Sequence, residues 1–191
     1  MASREKTSQV KQQVVEAADR LFYQKGYNLT SFSDIAESSN IPRGNLNYHF
    51  STKEDVLKAV IQFRVNEMKN MLNEWEKKYK SPLKCLQRYA QIALKVKNEV
   101  IQFGCPMGTL NSELGKGQHE LQAITKEQFD VFEQWLKKQF QLMGHSKNAS
   151  ELVMHLMVRT QGIATMSYIH GDTRLIKREV QLILSWLESL S

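Results

Sequence analysis

The chain has 191 residues, of which 41% are hydrophobic and 24% are charged, and its formal net charge at pH 7 is +6. This composition is ordinary for a folded protein and excludes a disordered tail. No stretch approaches the roughly 18 consecutive apolar residues of a membrane span, and residues 1–13 are polar and charged, unlike a secretory signal. We therefore expect a cytoplasmic protein that does not bind a membrane.

The two cysteines, Cys85 and Cys105, are too few for a disulfide framework and lack the spacing of a zinc site, so we expect no metal and no cofactor. Net charge is weak evidence for a nucleic-acid partner, because residues 1–58 carry eight basic and seven acidic side chains. A DNA-binding hypothesis must therefore depend on the local arrangement of side chains.

Nine glycines and three prolines are too few for a many-turned β fold, and they favour helices. Apolar residues recur every three or four positions over residues 9–25, which predicts an amphipathic helix that ends at Gly26. A longer helix to about Tyr79 begins after Thr52, whose hydroxyl and the carboxylate of Asp55 predict a capping box. The other long helical stretches cover residues 81–103, 121–143, 149–169 and 173–190, with breaks at Gly104–Gly108 and Gly115–Gly117.

Two short helices are predicted between these elements. The first begins at Ser33 after a run of hydroxyl residues, and the second runs from Pro42 to about Phe50. Asn40, between them, tolerates the left-handed backbone of a tight turn. The sequence thus predicts an all-α protein of about nine helices, with a three-helix N-terminal domain over residues 1–52 and a C-terminal helical domain over residues 53–191.

A short helix, a tight turn and a second short helix are the plan of a helix-turn-helix, which reads duplex DNA in the major groove. On the second helix, Ile41, Leu46 and Phe50 provide an inward face. The outward side chains are polar or charged: Arg43, Asn45, Asn47, Tyr48 and His49. Arginine and asparagine bind base edges, while tyrosine, histidine and the nearby Lys53 bind phosphates, and Gly44 lets the backbone approach DNA. The alternative is a solvated polar turn in an all-helical enzyme.

Residues 10–58 contain a series of short motifs in a fixed order: Ala17-Ala18-Asp19-Arg20-Leu21-Phe22, Lys25-Gly26-Tyr27, Thr30-Ser31, Asp34-Ile35-Ala36, Arg43-Gly44-Asn45-Leu46-Asn47-Tyr48-His49-Phe50 and Lys53-Glu54. With these motifs in register, the segment resembles the DNA-binding domain of TetR-family regulators. The resemblance implies a homodimeric repressor, with an N-terminal reader of a palindromic operator and a C-terminal domain that binds a small inducer and releases the DNA.

The resemblance also implies which residues face DNA: Ser33, Arg43, Gly44, Asn45, Asn47, Tyr48, His49 and Lys53. Asn40, Asn45 and Asn47 depart from the commonest residues of the family. The departures at Asn45 and Asn47 lie at base-facing positions, so we expect the same binding mode with a different operator preference.

In the C-terminal domain, the resemblance implies that the last two helices pair with their mates in a second copy. Their apolar stripes fit such a bundle, although packing within one chain also explains them. The stripes are Leu152, Val153, Leu156, Met157, Thr160, Ile163, Ala164 and Ser167, and Leu175, Ile176, Val180, Ile183, Leu184 and Leu187. Candidate residues for the inducer pocket are Phe63, Met71, Trp75, Tyr89, Phe103, Cys105, Met107, Phe129, Phe132 and Trp135, although aromatic and methionine residues at this spacing also form an ordinary core.

The segment from Gly104 to Leu114 resembles the Gly-Cys-x-x-Gly segment of a TetR subgroup, some of whose members respond to electrophiles or oxidants. A thiol near a helix N-terminus has a lowered pKa, so Cys105 is a candidate sensor. The alternative is an inert, packed cysteine.

The residue pattern also bears on two other classes of function, an enzyme and an architectural DNA-binding protein. An enzyme is not expected, because the five histidines are scattered and no catalytic or nucleotide-binding motif is present. An architectural DNA-binding protein would bind phosphates alone, with little use for outward Arg43, Asn45 and Asn47.

Overall fold

The structure is a computed structural model that describes residues 2–191, with side chains described from Thr7 onward. These residues form eleven helices and no β-strand, which confirms the predicted all-α fold with more helices than the nine expected. The helices are α1 (Ala2–Gln24), α2 (Phe32–Ser39), α3 (Arg43–His49), α4 (Lys53–Lys78), α5 (Pro82–Ala90), α6 (Ile92–Lys95), α7 (Lys97–Phe103), α8 (Pro106–Leu114), α9 (His119–Leu142), α10 (Ala149–His170) and α11 (Thr173–Glu188). None of these helices is both long and apolar enough to cross a membrane.

Two compact units make up the structure. The first contains the residues up to Glu67 together with Thr109–Gln128, and the second contains Met68–Gly108 together with Phe129–Ser191. This division differs from the predicted boundary after residue 52, because the first unit also includes the beginning of α4 and residues from the later helices α8 and α9.

In the first unit, α2 packs against α1 and α3, and an apolar stripe of α1 forms part of the core. The buried members of that stripe are Val14, Val15, Ala17, Ala18 and Phe22. The carboxylate of Asp19 on α1 forms an ion pair with Arg64 on α4, which ties these two helices together. The amphipathic pattern predicted for residues 9–25 is therefore present, in a helix that begins earlier than expected.

The short helix α2 begins with a capping box. The backbone N–H of Asp34 donates to Ser31 Oγ at 3.0 Å, and the backbone N–H of Ser31 donates to the Asp34 carboxylate at 2.7 Å. The hydroxyl cap predicted for this helix is thus confirmed, with the helix starting at Phe32 rather than at Ser33. Capping satisfies N–H groups that the first turn of a helix leaves without partners.

The turn between α2 and α3 is left-handed at Asn40, where φ is 55° and ψ is 32°. The backbone N–H of Asn40 donates to the carbonyls of Ala36 and Glu37, and so closes the end of α2. Pro42 then occupies the N-cap of α3. The predicted tight turn is confirmed, and so is the capping box of α4, in which Thr52 and Asp55 exchange hydrogen bonds of 3.0 and 3.1 Å.

In the second unit, α10 and α11 pack against each other, and each contacts α7. The most deeply buried side chains of these two helices are Leu156, Ile176, Ile183 and Leu187, none of which exposes any measurable surface. They belong to the apolar stripes that the sequence predicted, so those stripes form the core of the chain itself.

The helical stretch predicted for residues 81–103 is divided into α5, α6 and α7. The breaks fall at Gln91, with φ −82° and ψ −2°, and at Val96, with φ −109° and ψ 28°. Gln91 lies at the edge of the right-handed helical region, and Val96 lies outside it. Neither is a glycine or proline, so the sequence contains no local signal for these breaks.

The break predicted at Gly104–Gly108 is shorter than expected, since only Gly104 and Cys105 separate α7 from α8. Gly104 has φ 77°, a conformation that favours glycine. Gly108 lies inside α8, where an added Cβ would be 2.8 Å from the Oε1 atom of Gln161 on α10. The second glycine therefore serves close packing rather than a turn.

The capping box of α2 leads to a stability prediction. Replacing Ser31 with alanine removes the side-chain acceptor, so Ser31→Ala is expected to lower the free energy of unfolding by about 1 kcal/mol. Ser38→Ala is the matched control, because Ser38 is exposed on the same helix and does not cap it. Urea denaturation followed by circular dichroism measures both variants, and equal stability of the two would contradict the assigned cap.

Candidate DNA-binding surface

The surface of α3 is polar and exposed, and one residue anchors the helix in the core. Leu46 has no exposed surface, and Phe50, which follows the helix, is 7% exposed. The exposed side of the segment consists of Arg43, Gly44, Asn45, Asn47 and Tyr48. The inward and outward faces predicted from the sequence are therefore present, with two exceptions: Ile41, predicted inward, and His49, predicted outward, are both half-buried.

Arg43 is positioned by the neighbouring helix. Its Nη1 atom donates to the Oγ atom of exposed Ser33 on α2 at 3.3 Å. This contact links the two helices on the side where both side chains are accessible, and it restricts the guanidinium before any ligand binds. Two of the residues predicted to face DNA are thus brought together.

Tyr48 and His49 lie side by side at the end of α3. The tyrosine is 82% exposed, which is unusual for a large ring, while the histidine is half-buried. Their ring centroids are 5.1 Å apart in an edge-to-face arrangement. The hydroxyl of Tyr48 is therefore presented to solvent by a ring that is supported on one side.

Lys53 binds the backbone of its own chain, a role that the sequence did not suggest. Its Nζ atom donates to the carbonyls of Tyr27 and Thr30 at 2.9 and 3.0 Å, and it lies 4.2 Å from the centroid of the Tyr27 ring. Burial lowers the pKa of the Lys53 ammonium, against an opposing effect of the Glu113 charge. An ammonium has three N–H donors, so one remains for a phosphate beyond the two that bind the carbonyls.

The backbone that Lys53 binds is also bound by a residue that the sequence reasoning missed. Glu113 accepts hydrogen bonds from the backbone N–H groups of Tyr27 and Asn28, at 3.0 and 2.7 Å. Burial, followed by the charges of Glu54 and Glu113, raises the pKa of Tyr27 to about 12. Glu113 lies more than 80 positions away in the sequence, and no local pattern links it to the helix-turn-helix.

Most of the predicted inducer residues lie in the core of the second unit. Trp75, Tyr89, Phe132 and Trp135 are less than 10% exposed. Met71, Cys105, Met107 and Phe129 pack against the same cluster while remaining partly buried. The remaining two differ in position: Phe63 belongs to the first unit, and Phe103 is half-buried at the end of α7.

Two cavities are lined by other residues. One, of about 380 Å³, is lined by Asn28, Thr109, Ser112, Glu113, Lys116 and Gln118. The other, of about 590 Å³, is lined by Ser8, Gln9, Gln12 and Gln13 of α1. The residues that line both cavities are of polar or charged types, and none of the predicted inducer residues is among them.

The two cysteines have different environments. Cys85 is 1% exposed, and burial raises the pKa of its thiol. Cys105 is partly exposed and directly precedes α8, and its Sγ atom accepts a hydrogen bond from the backbone N–H of Gly108 at 3.4 Å. The predicted location of Cys105 at a helix N-terminus is therefore confirmed.

Apolar side chains outside the core are concentrated on α10. The residues at least 45% exposed there are Met154, Val158, Met166, Tyr168 and Ile169, and Leu182 of α11 is 48% exposed. None of these residues belongs to the stripes that the sequence assigned to a dimer. The exposed apolar face was missed because periodicity identified only the more regular, inward stripe.

Comparison with known proteins is consistent with this geometry. Residues 14–60 match the family described as bacterial regulatory proteins, tetR family. An uncharacterized HTH-type transcriptional regulator from Lactococcus lactis subsp. lactis is 34% identical over 110 residues, or 54% of each chain. The HTH-type transcriptional regulator AcrR from Shigella flexneri is 25% identical over 179 residues, which cover 88% of this chain and 79% of AcrR. The chain spans about half the length of the first curated relatives that it matches.

The likeness extends to the whole fold. The crystal structure of a TetR transcriptional regulator from Legionella pneumophila has a TM-score of 0.79 and 23% identity, and the comparison covers 90% of this chain and 93% of that chain. The family match contains α2, α3 and the beginning of α4, which are the elements that build the exposed polar surface. Over residues 14–60 the chain therefore matches the tetR family of bacterial regulatory proteins, and its overall fold is that of solved TetR-family structures.

Proposed function

We propose that the chain is a sequence-specific repressor that binds a palindromic DNA operator as a homodimer and is released by a small-molecule inducer. The observation that carries the proposal is the division of α3 into a buried anchor, Leu46, and an exposed set of base-reading side chains. A helix with this division can lie in the major groove without losing its contact with the core.

The chemistry of the exposed side chains supports reading of bases rather than of phosphates alone. Arg43 has the paired donors that match guanine, and Asn45 and Asn47 have the donor and acceptor that match adenine. We assign phosphate contacts to Tyr48, His49 and the third N–H of Lys53, with Ser33 supporting Arg43. Gly44 has no side chain, and no atom lies within 4 Å of the position that its Cβ would occupy, so the backbone can approach DNA there.

The homodimer is proposed on the exposed apolar face of α10. Met154 and Val158 are four residues apart and Met166 is eight residues further along, so the three lie on one inclined i±4 ridge of the helix. A soluble chain that leaves such a row exposed carries the signature of a protein–protein interface. Because this face lies on one long helix, it can pack against α10 of a second copy. The resulting dimer would place two α3 helices about 34–36 Å apart on DNA.

The inducer site is proposed in the aromatic cluster of the second unit. Tyr89 and Phe132 have ring centroids 5.0 Å apart, and Trp75 and Trp135 have centroids 5.9 Å apart. The indole Nε1 of Trp135 is buried with no acceptor among the described residues. A buried donor without a partner favours a ligand that carries a hydrogen-bond acceptor and apolar surface.

Thiol modification is a second candidate for the release signal. The observation that favours it is the hydrogen bond from the Gly108 N–H to Cys105 Sγ at the beginning of α8, because such donors stabilise a thiolate. Addition of the Cys105 thiol to an activated alkene such as N-ethylmaleimide would form a C–S bond at the expense of the C=C π bond. The thiol proton would end on the adjacent carbon, and the adduct would place new bulk beside Gly108. This alternative uses the same operator and the same dimer.

Selection from a library of random DNA duplexes tests the DNA-binding function. We expect enrichment of one palindromic sequence, to which Asn47→Ala binds with a relaxed or altered base preference and a loss of about 1–3 kcal/mol. Lys53→Ala is expected to weaken binding to every sequence and to reduce the salt slope by about one. Fluorescence anisotropy at several salt concentrations measures both effects.

Asn70→Ala is the control for Asn47→Ala, because Asn70 is an exposed amide on α4 outside the helix-turn-helix. Circular dichroism controls for folding of the Lys53 variant, since Lys53 also holds the backbone of Tyr27 and Thr30. Enrichment of no sequence would support an architectural protein instead. Unchanged affinity and preference of Asn47→Ala would show that the recognition face is wrongly assigned.

The dimer interface is tested by placing a charge on the exposed face of α10. Val158→Glu is expected to weaken dimerisation at least about tenfold, because a carboxylate would lose its hydration in an apolar interface. Leu142→Glu is a matched control, since Leu142 is 62% exposed and Val158 is 61% exposed. Sedimentation velocity over a range of concentrations measures both variants, and an equal effect of the two substitutions would argue against this interface.

The thiol alternative is tested by treating the operator complex with N-ethylmaleimide. If Cys105 is the sensor, the wild-type protein and Cys85→Ser dissociate from DNA, while Cys105→Ser stays bound. Cys85 is the appropriate control because it is buried and its thiol has a raised pKa. Dissociation of the Cys105→Ser protein on treatment would exclude Cys105 as the sensor.

A further inference from the structure

We propose that Glu113 is a positioning residue for operator binding, which acts from outside the helix-turn-helix by fixing the turn that precedes α2. We call residues 26–30 the α1–α2 turn. The inference rests on the proposed DNA-binding function, and it assigns a role to a residue of α8 that the recognition surface itself does not contain. Both partners lie within the first compact unit.

The carboxylate of Glu113 binds two consecutive backbone amides. Its Oε2 atom accepts the N–H of Tyr27 at 3.0 Å, and its Oε1 atom accepts the N–H of Asn28 at 2.7 Å. Each oxygen therefore has its own donor, and both distances are typical of charge-assisted hydrogen bonds. A neutral or shorter side chain at this position cannot reproduce the pair.

Gly26 makes room for the carboxylate. Its φ is 92°, which places it in a conformation that favours glycine, and a Cβ added to it would lie 3.1 Å from Glu113 Oε2. The glycine that ends α1 thus has two roles. It provides the left-handed backbone of the helix end, and it leaves space for a side chain from α8.

Lys53 binds backbone carbonyl groups of the α1–α2 turn. The ammonium accepts no hydrogen bond and donates to the carbonyls of Tyr27 and Thr30, whereas Glu113 accepts from the N–H groups of Tyr27 and Asn28. Thr30, which is 1% exposed, closes the turn by donating its hydroxyl to the Gly26 carbonyl at 2.6 Å. Tyr27 is consequently held through both its N–H and its carbonyl by side chains of opposite charge.

The segment that carries Glu113 is itself held in place. Asn111 Nδ2 donates to Thr125 Oγ1 on α9 at 2.7 Å, and Leu114 is fully buried. Gln118, just before α9, donates to the side-chain oxygen of Asn28 at 2.6 Å. The carboxylate is therefore presented to the turn by a fixed part of the first unit, not by a freely rotating surface side chain.

The α1–α2 turn leads directly into the DNA-binding elements. Ser31, the capping residue of α2, follows the turn, and Ser33 and Arg43 form the hydrogen bond that joins α2 to α3. Lys53, which binds the turn from its other side, is a proposed phosphate ligand. Loss of the hydrogen bonds between Glu113 and the turn would therefore disturb both the start of α2 and the position of the Lys53 ammonium.

The test compares Glu113→Gln with Glu120→Gln on the selected operator and on random duplex DNA. Both substitutions remove one negative charge from the first unit, but Glu120 is exposed in the first turn of α9. We expect Glu113→Gln to bind the operator about tenfold more weakly than Glu120→Gln, with binding to random DNA equal within about twofold. Titration at concentrations well above the dissociation constant gives the fraction of folded, active protein and removes loss of fold as an explanation.

Amide hydrogen exchange on the wild-type protein provides a second measurement that does not depend on a variant. Operator DNA is expected to slow exchange at the N–H groups of Tyr27 and Asn28, because binding selects the held form of the turn. Unprotected exchange of these two amides in the complex, or equal operator affinity of the Glu113 and Glu120 variants, would overturn the inference alone. A wild-type protein that selects no DNA sequence would overturn the proposed function and this inference with it.

Discussion

The backbone of the α1–α2 turn is held between a carboxylate and an ammonium, and the placement of the recognition elements depends on this arrangement. A turn has no regular ladder to satisfy its N–H and C=O groups, and leaving them buried without partners is costly. Here Glu113 binds the N–H groups of Tyr27 and Asn28, and Lys53 binds the carbonyls of Tyr27 and Thr30. One of these side chains comes from the far part of the sequence, which explains why the compact unit that contains the helix-turn-helix also includes residues 109–128.

Helix α3 is likewise stabilised by contacts with residues outside the helix. A helix of seven residues is too short to be stable by itself, because the hydrogen bonds of two turns do not offset the free-energy cost of helix nucleation. Its form therefore depends on Leu46 and Phe50, which are buried, and on the left-handed turn at Asn40. The second unit is arranged differently, since α10 and α11 are long and use one apolar stripe each for the internal core. This leaves a separate apolar face of α10 available for the proposed second copy.

The features that could be predicted from the sequence are those with a short-range signal. The two capping boxes and the turn at Asn40 each involve residues a few positions apart, and their side-chain chemistry specifies the backbone conformation. The breaks at Gln91 and Val96 have no such signal, because neither residue is a glycine or a proline. Glu113 was not predictable because its partners are distant in sequence, and Lys53 was read as a phosphate ligand without the two carbonyls that hold it. Periodicity likewise identified apolar stripes without showing whether they pack within the chain or against another copy.

The division of α3 into a buried anchor and an exposed polar face also affects how the protein can evolve. Substitutions at Asn45, Asn47 and Tyr48 remove few contacts within the chain, because these side chains are exposed and most of their surface faces solvent. Operator preference can therefore diverge among descendants with little change in folding stability. Leu46 has the opposite constraint, because it is fully buried and anchors the helix that carries the proposed base-reading groups. Folding stability and the proposed sequence specificity thus depend on different positions of the same two helical turns.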